Sequence, residues 1–285
     1  MIIVRLQGGL GNQLFQYAAG KALAHRLNKP FKLETITSLQ KDKQRSIALQ
    51  GLQTNFELAS NKDVKEFLSF PSLYRHNPGF FSRFGRNVYK EPHFHFDKNF
   101  SSLNDPVFLD GFWQSPIYFQ DIETLIRQDF KIKPELVSKV LEKGKELEQR
   151  SSIAVHVRRG DFTNKAATSY HGVLSAFYYE KAIGLIKEKD PSACIYFFSD
   201  DIAWVKQNLA IDKNVEFISS FDNSAIEDFY LMTKCRHNII ANSSFSWWPA
   251  WLNSNPNKIV IAPKKWFVDT TINTNDLIPA AWVRL

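Results

Sequence analysis

The sequence has few cysteines and lacks a long apolar run, and each absence excludes a class of protein. Cys194 and Cys235 are the only two cysteines among 285 residues, so a disulfide framework and a cysteine-based zinc site are both excluded. No apolar run approaches the roughly 18 residues that cross a bilayer. The opening residues MIIVRLQ are too short for a signal peptide. We therefore expect a cytoplasmic protein, and a peripheral contact with the inner face of a membrane stays open.

Basic residues exceed acidic ones without forming a tract. The formal net charge is +7, which favours anionic partners such as nucleotides, anionic lipid surfaces or nucleic acid. The chain lacks a basic tract and a nucleic-acid-binding motif, so we expect no nucleic-acid partner. The dinucleotide fingerprint G-x-G-x-x-G is absent as well, because Gly8, Gly9 and Gly11 have a different spacing.

The remaining composition is that of a globular protein with a substantial core. Apolar residues make up 44% of the chain, and 285 residues suffice for two modest α/β domains. Residues 131–150 read as a charged amphipathic helix that Pro134 starts. We place the domain boundary there, with domains at 1–140 and 141–285. Packing of the last helix of the chain on the first domain is an additional alternative.

The first domain is predicted to begin with a strand, a glycine loop and a helix. MIIVRLQ reads as a buried strand, Asn12 as the helix N-cap, and Asn28 as the approximate helix end. The free N–H groups of a helix start favour an anion, although a plain tight turn is the commoner reason for such glycines. Residues 35–105 are irregular and are interpreted as a surface lid or an acceptor-binding insertion. His93 and His95 lie two apart within them, but without a third ligand they do not predict a metal site.

The second domain is predicted to contain a parallel sheet. Strand patterns at 152–158 and 194–201 and further short strands alternate with helical patterns, which indicates helices on both sheet faces. The polar groups RRGD, SDD and NSS all follow strands. Ligands of parallel sheets bind at the carboxyl ends of the strands, so these groups are predicted to form one binding site.

The segment IAVHVRRGDF, residues 153–162, carries the chemistry. Side chains alternate along a strand, so His156 and Arg158 share one face while Arg159 falls on the side of Asp161. The guanidinium of Arg158 suits a diphosphate, because its planar fork donates bidentate hydrogen bonds and keeps its charge. An ordinary surface salt-bridge cluster, including an Arg159–Asp161 pair, is the alternative.

Five segments in order resemble glycosyltransferase family 11, the bacterial α-1,2-fucosyltransferases. They are GGLGNQLFQYAAG (8–20), GFWQSPIYF (111–119), HVRRGDF (156–162), FFSDD (197–201) and NSSFSWWPAWL (242–252). The resemblance implies an α/β fold of GT-B type, with two Rossmann-like domains facing across a cleft. It implies inverting transfer from GDP-L-fucose to the 2-hydroxyl of a terminal β-galactoside in a glycan, without a metal or other cofactor. Phe112, Pro116-Ile117 and Pro249 depart from the usual family residues and affect acceptor preference and local helix geometry.

The resemblance also suggests residue roles. Arg158 would stabilise the charge on the leaving diphosphate, and His156 would hydrogen-bond GDP. Asp161 is the first candidate for the general base, with a structural role as its alternative, and His156 is the second candidate. The remaining donor-binding candidates are Gly9, Leu10, Gly11, Asn12, Asp200, Asp201, Asn242, Ser243, Ser244 and Phe245.

Several alternatives accompany these roles. One of Asp200 and Asp201 would equally serve as a helix cap, and together they would suit a nucleotide-bound metal. Trp113 and Gln114 are acceptor-binding candidates. Trp113, Trp247 and Trp248 would stack on sugar or belong to the core. An α-1,6- or protein O-fucosyltransferase, and a non-catalytic GDP-sugar-binding module, remain alternatives for the whole chain.

Overall fold

The computed structural model describes residues 1–41, 46–160, 165–209, 214–220 and 224–285. Asp161, the first candidate for the base, lies outside the described residues. The chain divides into two compact units. The first comprises Met1–Lys131 and Asn273–Leu277, and the second comprises Ile132–Ile272 and Ile278–Leu285.

The first unit is built on a parallel sheet. Its strands are β1 (Ile2–Arg5), β2 (Phe31–Glu34), β3 (Glu57–Leu58), β4 (Val88–Lys90) and β5 (Val107–Asp110), and its helices are α1 (Leu10–Leu27), α2 (Asn61–Phe67), α3 (Pro71–Tyr74), α4 (Pro78–Phe81) and α5 (Glu123–Asp129). Within the described residues the strand order is β3-β2-β1-β5-β4. Short 3₁₀ segments at Leu39–Lys41, Ala48–Gly51, Ser82–Phe84, Lys98–Ser102 and Pro116–Ile122 join these elements.

Helix α1 packs directly on strand β1 because a glycine faces the strand. A Cβ added at Gly20 would lie 2.2 Å from Cγ2 of Val4. The predicted apolar spacing along this helix is confirmed, since Leu14, Phe15 and Leu23 are wholly buried. The helix ends at Leu27, and its C-cap Asn28, the predicted approximate end, closes the last turn with a left-handed backbone (φ 50°).

The second unit is built on another parallel sheet. Its strands are β6 (Ser152–Val157), β7 (Cys194–Ser199), β8 (Val215–Phe217), β9 (His237–Ile239), β10 (Val260–Ala262) and β11 (Val283–Arg284), and its helices are α6 (Leu141–Gln149), α7 (Lys165–His171), α8 (Ala176–Lys189), α9 (Ile202–Asn208), α10 (Ala225–Lys234) and α11 (Ser244–Leu252). Among the described residues the strand order is β11-β10-β9-β6-β7-β8. Read from β8, this is the doubly wound order 3-2-1-4-5-6 of a Rossmann-like unit.

Two apolar cores cover the faces of this second sheet. Ile153, Val155 and Val157 pack in one core with helix α8, and Ala154 packs in the other with residues of α10. Strand β7 alternates in the same way, since Phe197 belongs to the first core and Phe198 to the second. The predicted alternation along 153–157 is therefore confirmed.

The boundary between the units lies nine residues before the predicted one, at Lys131/Ile132 instead of 140/141. Residues 134–140 form two short 3₁₀ segments, Pro134–Leu136 and Ser138–Val140, rather than the start of a long helix. Val137 and Val140 are buried in the core of the second unit, and this packing assigns the segment to that unit. The chain returns to the first unit through a turn at Asn273–Leu277, not through a helix.

In the described part of the chain, none of the helices combines the length and apolar character needed to cross a membrane.

Candidate functional site

Each sheet reverses its strand order at one point, and the predicted motifs lie there. In the second unit the order turns between β6 and β9, whose carboxyl ends lead to Arg158 and Asn242. In the first unit it turns between β1 and β5, which lead to the glycine loop at 8–11 and to Gly111. Such switch points are where open parallel sheets bind ligands, because the loops diverge and leave a crevice.

In the second unit Arg158 is held by a carboxylate from the neighbouring strand. Its Nη1 lies 2.9 Å from Oδ2 of Asp200, just beyond the end of β7. Oδ1 of the same carboxylate accepts the backbone N–H of Arg159 at 2.8 Å. The Arg158 side chain is 31% exposed, so a ligand at the sheet edge can reach a guanidinium whose position is already fixed.

Arg159 is held differently, by an aromatic ring and a second carboxylate. Its guanidinium carbon lies 4.0 Å from the ring centroid of Trp204, a cation–π distance. Its Nε lies 3.6 Å from Oδ2 of Asp201. Oδ1 of Asp201 also accepts the N–H of Trp204 at 3.0 Å, so this aspartate caps helix α9. The capping role left open for one of the two aspartates therefore belongs to Asp201, and the described partner of Arg159 is Asp201.

Gly160 makes room for this arrangement. A Cβ at Gly160 would lie 2.7 Å from Oδ2 of Asp200, the oxygen that pairs with Arg158. Any larger residue would displace the carboxylate. The glycine of RRGD and the first aspartate of SDD therefore form one packing unit, although they are 40 positions apart in the sequence.

His156 is buried at the same edge and is uncharged. Burial, and then the positive charge of Arg158, lower the pKa of His156 to about 3. Its Nδ1 has no hydrogen-bond partner among the described residues, and the ring packs against Phe245 at 5.5 Å between centroids. A neutral imidazole with an unsatisfied buried nitrogen is suited to hydrogen-bond a ligand, and its low pKa makes it a weak general base.

The N-terminus of helix α11 completes the edge. Ser243 is its N-cap and accepts the N–H of Phe245 at 3.3 Å, and Ser244 is the first helical residue. The side-chain amide of Asn242 donates to the carbonyls of His171 (2.7 Å) and Trp266 (3.2 Å), so it ties loops together. The second unit thus brings the predicted His156, Arg158, Asp200 and NSSF residues to one edge.

In the first unit the glycine loop does not end as predicted. Helix α1 begins at Leu10 with Gly9 as its N-cap, so Asn12 lies in the first turn and the predicted Asn12 cap is wrong. The Gly9 carbonyl accepts the N–H groups of Asn12 and Gln13 at 3.0 and 3.1 Å, which closes the turn without a side-chain cap. Gly8 has a left-handed φ of 79°, and a Cβ there would lie 2.4 Å from Nδ2 of Asn12. The glycines thus let Asn12 fold back over the loop, while Gly11 is buried in the helix.

Trp113 and Gln114 lie beside this loop, and only one of them can contact a sugar as predicted. Nε2 of Gln114 donates to Oδ1 of Asn12 at 2.9 Å, which links the two sides of the switch point. Trp113 is wholly buried, stacked on Tyr89, so its ring is a core group and not a sugar platform. The exposed ring of this turn is Phe112, at 37%. Trp247 and Trp248 are likewise wholly buried.

Sequence reasoning missed Glu91, which holds this turn in place. Its two carboxylate oxygens accept the backbone N–H groups of Phe112 (2.7 Å) and Trp113 (2.9 Å). Trp113 has a left-handed φ of 56°, which a large side chain adopts only when its surroundings enforce it. Burial raises the pKa of the Glu91 carboxyl to about 7, although the two N–H donors favour its charged form.

A buried ion pair at the same sheet edge was also missed. Nη1 of Arg5, at the end of β1, lies 3.0 Å from Oδ1 of Asp110, at the end of β5. The other Asp110 oxygen accepts from the Tyr74 hydroxyl at 2.7 Å, and Nε of Arg5 donates to Oγ1 of Thr37 at 3.0 Å. The sequence pattern that could have indicated this pair is the charged residue at the end of each apolar strand, Arg5 in MIIVR and Asp110 in VFLD. A charge at a buried strand end needs a partner.

Metal ligands are not clustered in the described residues: no group of three or more His, Cys, Asp or Glu could hold an ion. His93 and His95 stack on each other, with ring centroids 3.6 Å apart. Asp200 and Asp201 are each engaged by an arginine.

The sequence matches known proteins along its whole length. The model of Glycosyl transferase family 11 matches residues 1–285. The O-antigen biosynthesis glycosyltransferase WbnK of Escherichia coli is 34% identical over 98% of this chain and 99% of its own. An alpha-1,2-colitosyltransferase of Escherichia coli is 33% identical over 100% of this chain and 99% of its own.

The fold matches a solved structure as well. The NodZ alpha-1,6-fucosyltransferase, co-crystallized with GDP, superposes with a TM-score of 0.52 at 17% identity and covers 88% of this chain and 91% of its own. The two parallel-sheet units make this an α/β protein of GT-B type, as the motifs implied. The motifs, the two switch points and the match over residues 1–285 agree, and the chain belongs to glycosyltransferase family 11.

Proposed function

We propose that this glycosyltransferase moves L-fucose from GDP-L-fucose to the 2-hydroxyl of a terminal β-galactoside, with inversion at the anomeric carbon. The observation that carries the proposal is the Arg158 guanidinium, fixed by Asp200 at the sheet switch point beside a neutral buried His156. Arginine is always protonated and donates bidentate hydrogen bonds, which suits the two phosphates of a nucleoside diphosphate. The helix start at Ser243–Ser244 adds N–H donors at the same edge.

The reaction needs one group that stabilises negative charge on the leaving phosphate and one base that accepts the acceptor's proton. The acceptor O2 forms a bond to the fucose C1, the bond from C1 to the β-phosphate oxygen breaks, and GDP leaves with the electron pair. Arg158 stabilises the charge that grows on the phosphate, an effect worth on the order of 3 kcal/mol. The acceptor proton goes to a carboxylate, and we assign this role to Asp161 from the sequence alone. His156 is the poorer choice, since its pKa near 3 leaves it little affinity for a proton.

In the first unit we propose that the Gly9–Gly11 loop, Asn12 and Gln114 bind a substrate sugar or phosphate. The Asn12–Gln114 hydrogen bond fixes both amides at the switch point. Phe112 replaces Trp113 as the exposed ring beside them. We also propose that no metal or other cofactor takes part, because a fixed guanidinium supplies the positive charge that a metal would otherwise supply.

The decisive experiment offers GDP-L-fucose and a set of terminal galactosides to the purified protein in excess EDTA. We expect GDP release that depends on the acceptor, and an α-1,2-linked product by NMR. Absence of GDP release would indicate a binding module, and a 6-linked or peptide-linked fucose would indicate the other fucosyltransferase types. Loss of transfer in EDTA that Mg²⁺ restores would overturn the metal-free mechanism.

The donor sugar needs its own comparison because of the similarity to a colitosyltransferase. Colitose is fucose without the 3-hydroxyl group. A site that hydrogen-bonds this hydroxyl strongly rejects the deoxy sugar, because its own polar groups would stay unpaired. We expect GDP-L-fucose to give the higher kcat/KM, and a preference for GDP-colitose would correct the donor while leaving the reaction type intact.

A further inference from the structure

An aromatic surface of the first unit takes no part in the site described above. Four large apolar side chains between β3 and β4 are about half exposed: Phe70 (50%), Leu73 (45%), Phe80 (48%) and Phe84 (48%). We call these four residues the aromatic patch. Isolated exposed apolar residues are normal on a protein surface, whereas a contiguous group marks an interaction site.

The rings of the patch contact one another. The ring centroids of Phe80 and Phe84 lie 5.5 Å apart, those of Phe70 and Phe84 6.3 Å, and the partly buried Phe81 contacts all three phenylalanines. The three phenylalanines of the patch therefore form one continuous apolar surface and are not separate side chains.

The backbone beneath the patch is firmly held. Phe67, Leu68 and Tyr74 of the same segment point inward and are buried in the core of the first unit. Leu68 and Gly85 form an antiparallel bridge, and the N–H of Arg86 donates to the Phe67 carbonyl at 2.8 Å. The apolar side chains of the patch thus stay exposed to water, although neighbouring residues of the same segment are buried. Exposure of apolar surface to water has a free-energy cost, which a partner that covers the patch would remove.

The segment that carries the patch is basic, although the exposed Glu66 directly precedes it. Residues 67–90 contain Arg75, Arg83, Arg86 and Lys90 and no Asp or Glu. The last three are exposed, and none of the four forms an ion pair with another described residue. Lys90 lies beside the patch, because a Cβ at Gly79 would be 3.6 Å from its Nζ. The surface that covers the patch must therefore be apolar inside and negative at its rim.

We propose that the aromatic patch docks the protein on an anionic phospholipid bilayer. Phenylalanine rings enter the boundary between headgroups and acyl chains, and arginine and lysine heads remain among the anionic phosphates. A second copy of the chain fits less well. A two-fold dimer would place the patch against itself and bring four cations against four cations.

Vesicle co-sedimentation tests the proposal. We expect the protein to bind vesicles of phosphatidylcholine with phosphatidylglycerol, to bind pure phosphatidylcholine poorly, and to lose binding as salt rises. The double variant Phe80→Ser/Phe84→Ser should lower the partition coefficient by about tenfold or more. Phe177→Ser is the matched control, because Phe177 is 69% exposed on helix α8 of the second unit.

A charge-reversal variant keeps the proposal testable if the serine variant folds poorly. Arg83→Glu/Arg86→Glu should weaken binding to anionic vesicles by at least about tenfold, since each basic residue near the surface contributes roughly a fivefold factor. Lys181→Glu/Lys189→Glu changes the net charge equally on helix α8 and should have a smaller effect. No vesicle binding, or equal loss in patch and control variants, overturns the proposal. Concentration-dependent dimerisation that the serine variant abolishes, without vesicle binding, overturns it in favour of a second copy.

Discussion

At the scale of single residues, the two adjacent arginines are expected to differ. Arg158→Ala should lower turnover at least about a hundredfold, because the leaving phosphate loses a prepositioned cation. Arg159→Ala should mainly lower stability, since Arg159 stacks on Trp204 and pairs with the cap residue Asp201. Steady-state transfer and thermal unfolding of both variants separate the two effects.

One further variant controls this comparison. Arg158→Lys keeps the charge but loses the planar fork, so its turnover should lie between the wild type and Arg158→Ala. If Arg159→Ala loses turnover while Arg158→Ala keeps it, the assignment of the two side chains is reversed.

Glu91 predicts a pH dependence of stability. Its pKa is about 7 in the folded protein and lies near 4.5 for the ordinary carboxyl, so the folded state binds more protons between these values. The unfolding free energy then falls as pH rises through this window. Above pH 7 the buried carboxylate is charged, and the full free-energy cost of burying that charge lowers the stability. Relative to Glu91→Gln, the wild type should lose about 2 to 3 kcal/mol between pH 5 and pH 8.

Urea denaturation at both pH values measures this difference. The control is Glu66→Gln, because Glu66 is an exposed carboxylate in the same unit and should leave the pH dependence of the wild type unchanged. If wild type and Glu91→Gln respond identically to pH, Glu91 is charged throughout and its burial costs less than the structure indicates.

At the scale of helices and strands, two helical glycines should respond to alanine with opposite signs. Gly20→Ala should cost about 1 to 3 kcal/mol of stability, because its Cβ would overlap Val4 of β1. Gly184→Ala in helix α8 should stabilise by up to about 1 kcal/mol, because nothing lies within 4 Å of its Cβ. Thermal unfolding of the two variants measures both, and a stabilised Gly20→Ala would show that α1 can lift from β1 without cost.

Elements whose pattern is local were predictable from the sequence. The spacing of Ile153, Val155 and Val157 predicted which side of β6 packs in this core, because successive side chains of a strand point to opposite faces of the sheet. The helix start at Gly9 was not predictable in the same way. Asparagine is a favoured cap, but the hydrogen bond to Gln114, 102 residues away, draws Asn12 into the first turn.

At the scale of the whole molecule, the alternation of strand and helix patterns predicted the parallel sheet of the second unit. The polar motifs that follow its strands predicted the edge where the site lies. Contacts between distant residues could not be predicted. The register that brings Arg5 to Asp110 and Glu91 to the Trp113 turn depends on which strands are neighbours. Trp113 was misassigned because the sequence does not show which distant residues bury its ring.

The return of Asn273–Leu277 to the first unit has a consequence for exchanging parts between relatives. In this unit the Asp276 carboxylate accepts the N–H of Phe96. The Asp276 carbonyl accepts from the Ser115 hydroxyl at 3.4 Å. A chimaera that joins residues 1–131 of this chain to the remainder of a family member therefore has a foreign five-residue segment in its first unit. We expect such a chimaera to melt at a lower temperature than one that also carries residues 273–277. Exchanging the intact first unit between family members therefore requires two separate stretches of codons, those for residues 1–131 and those for residues 273–277.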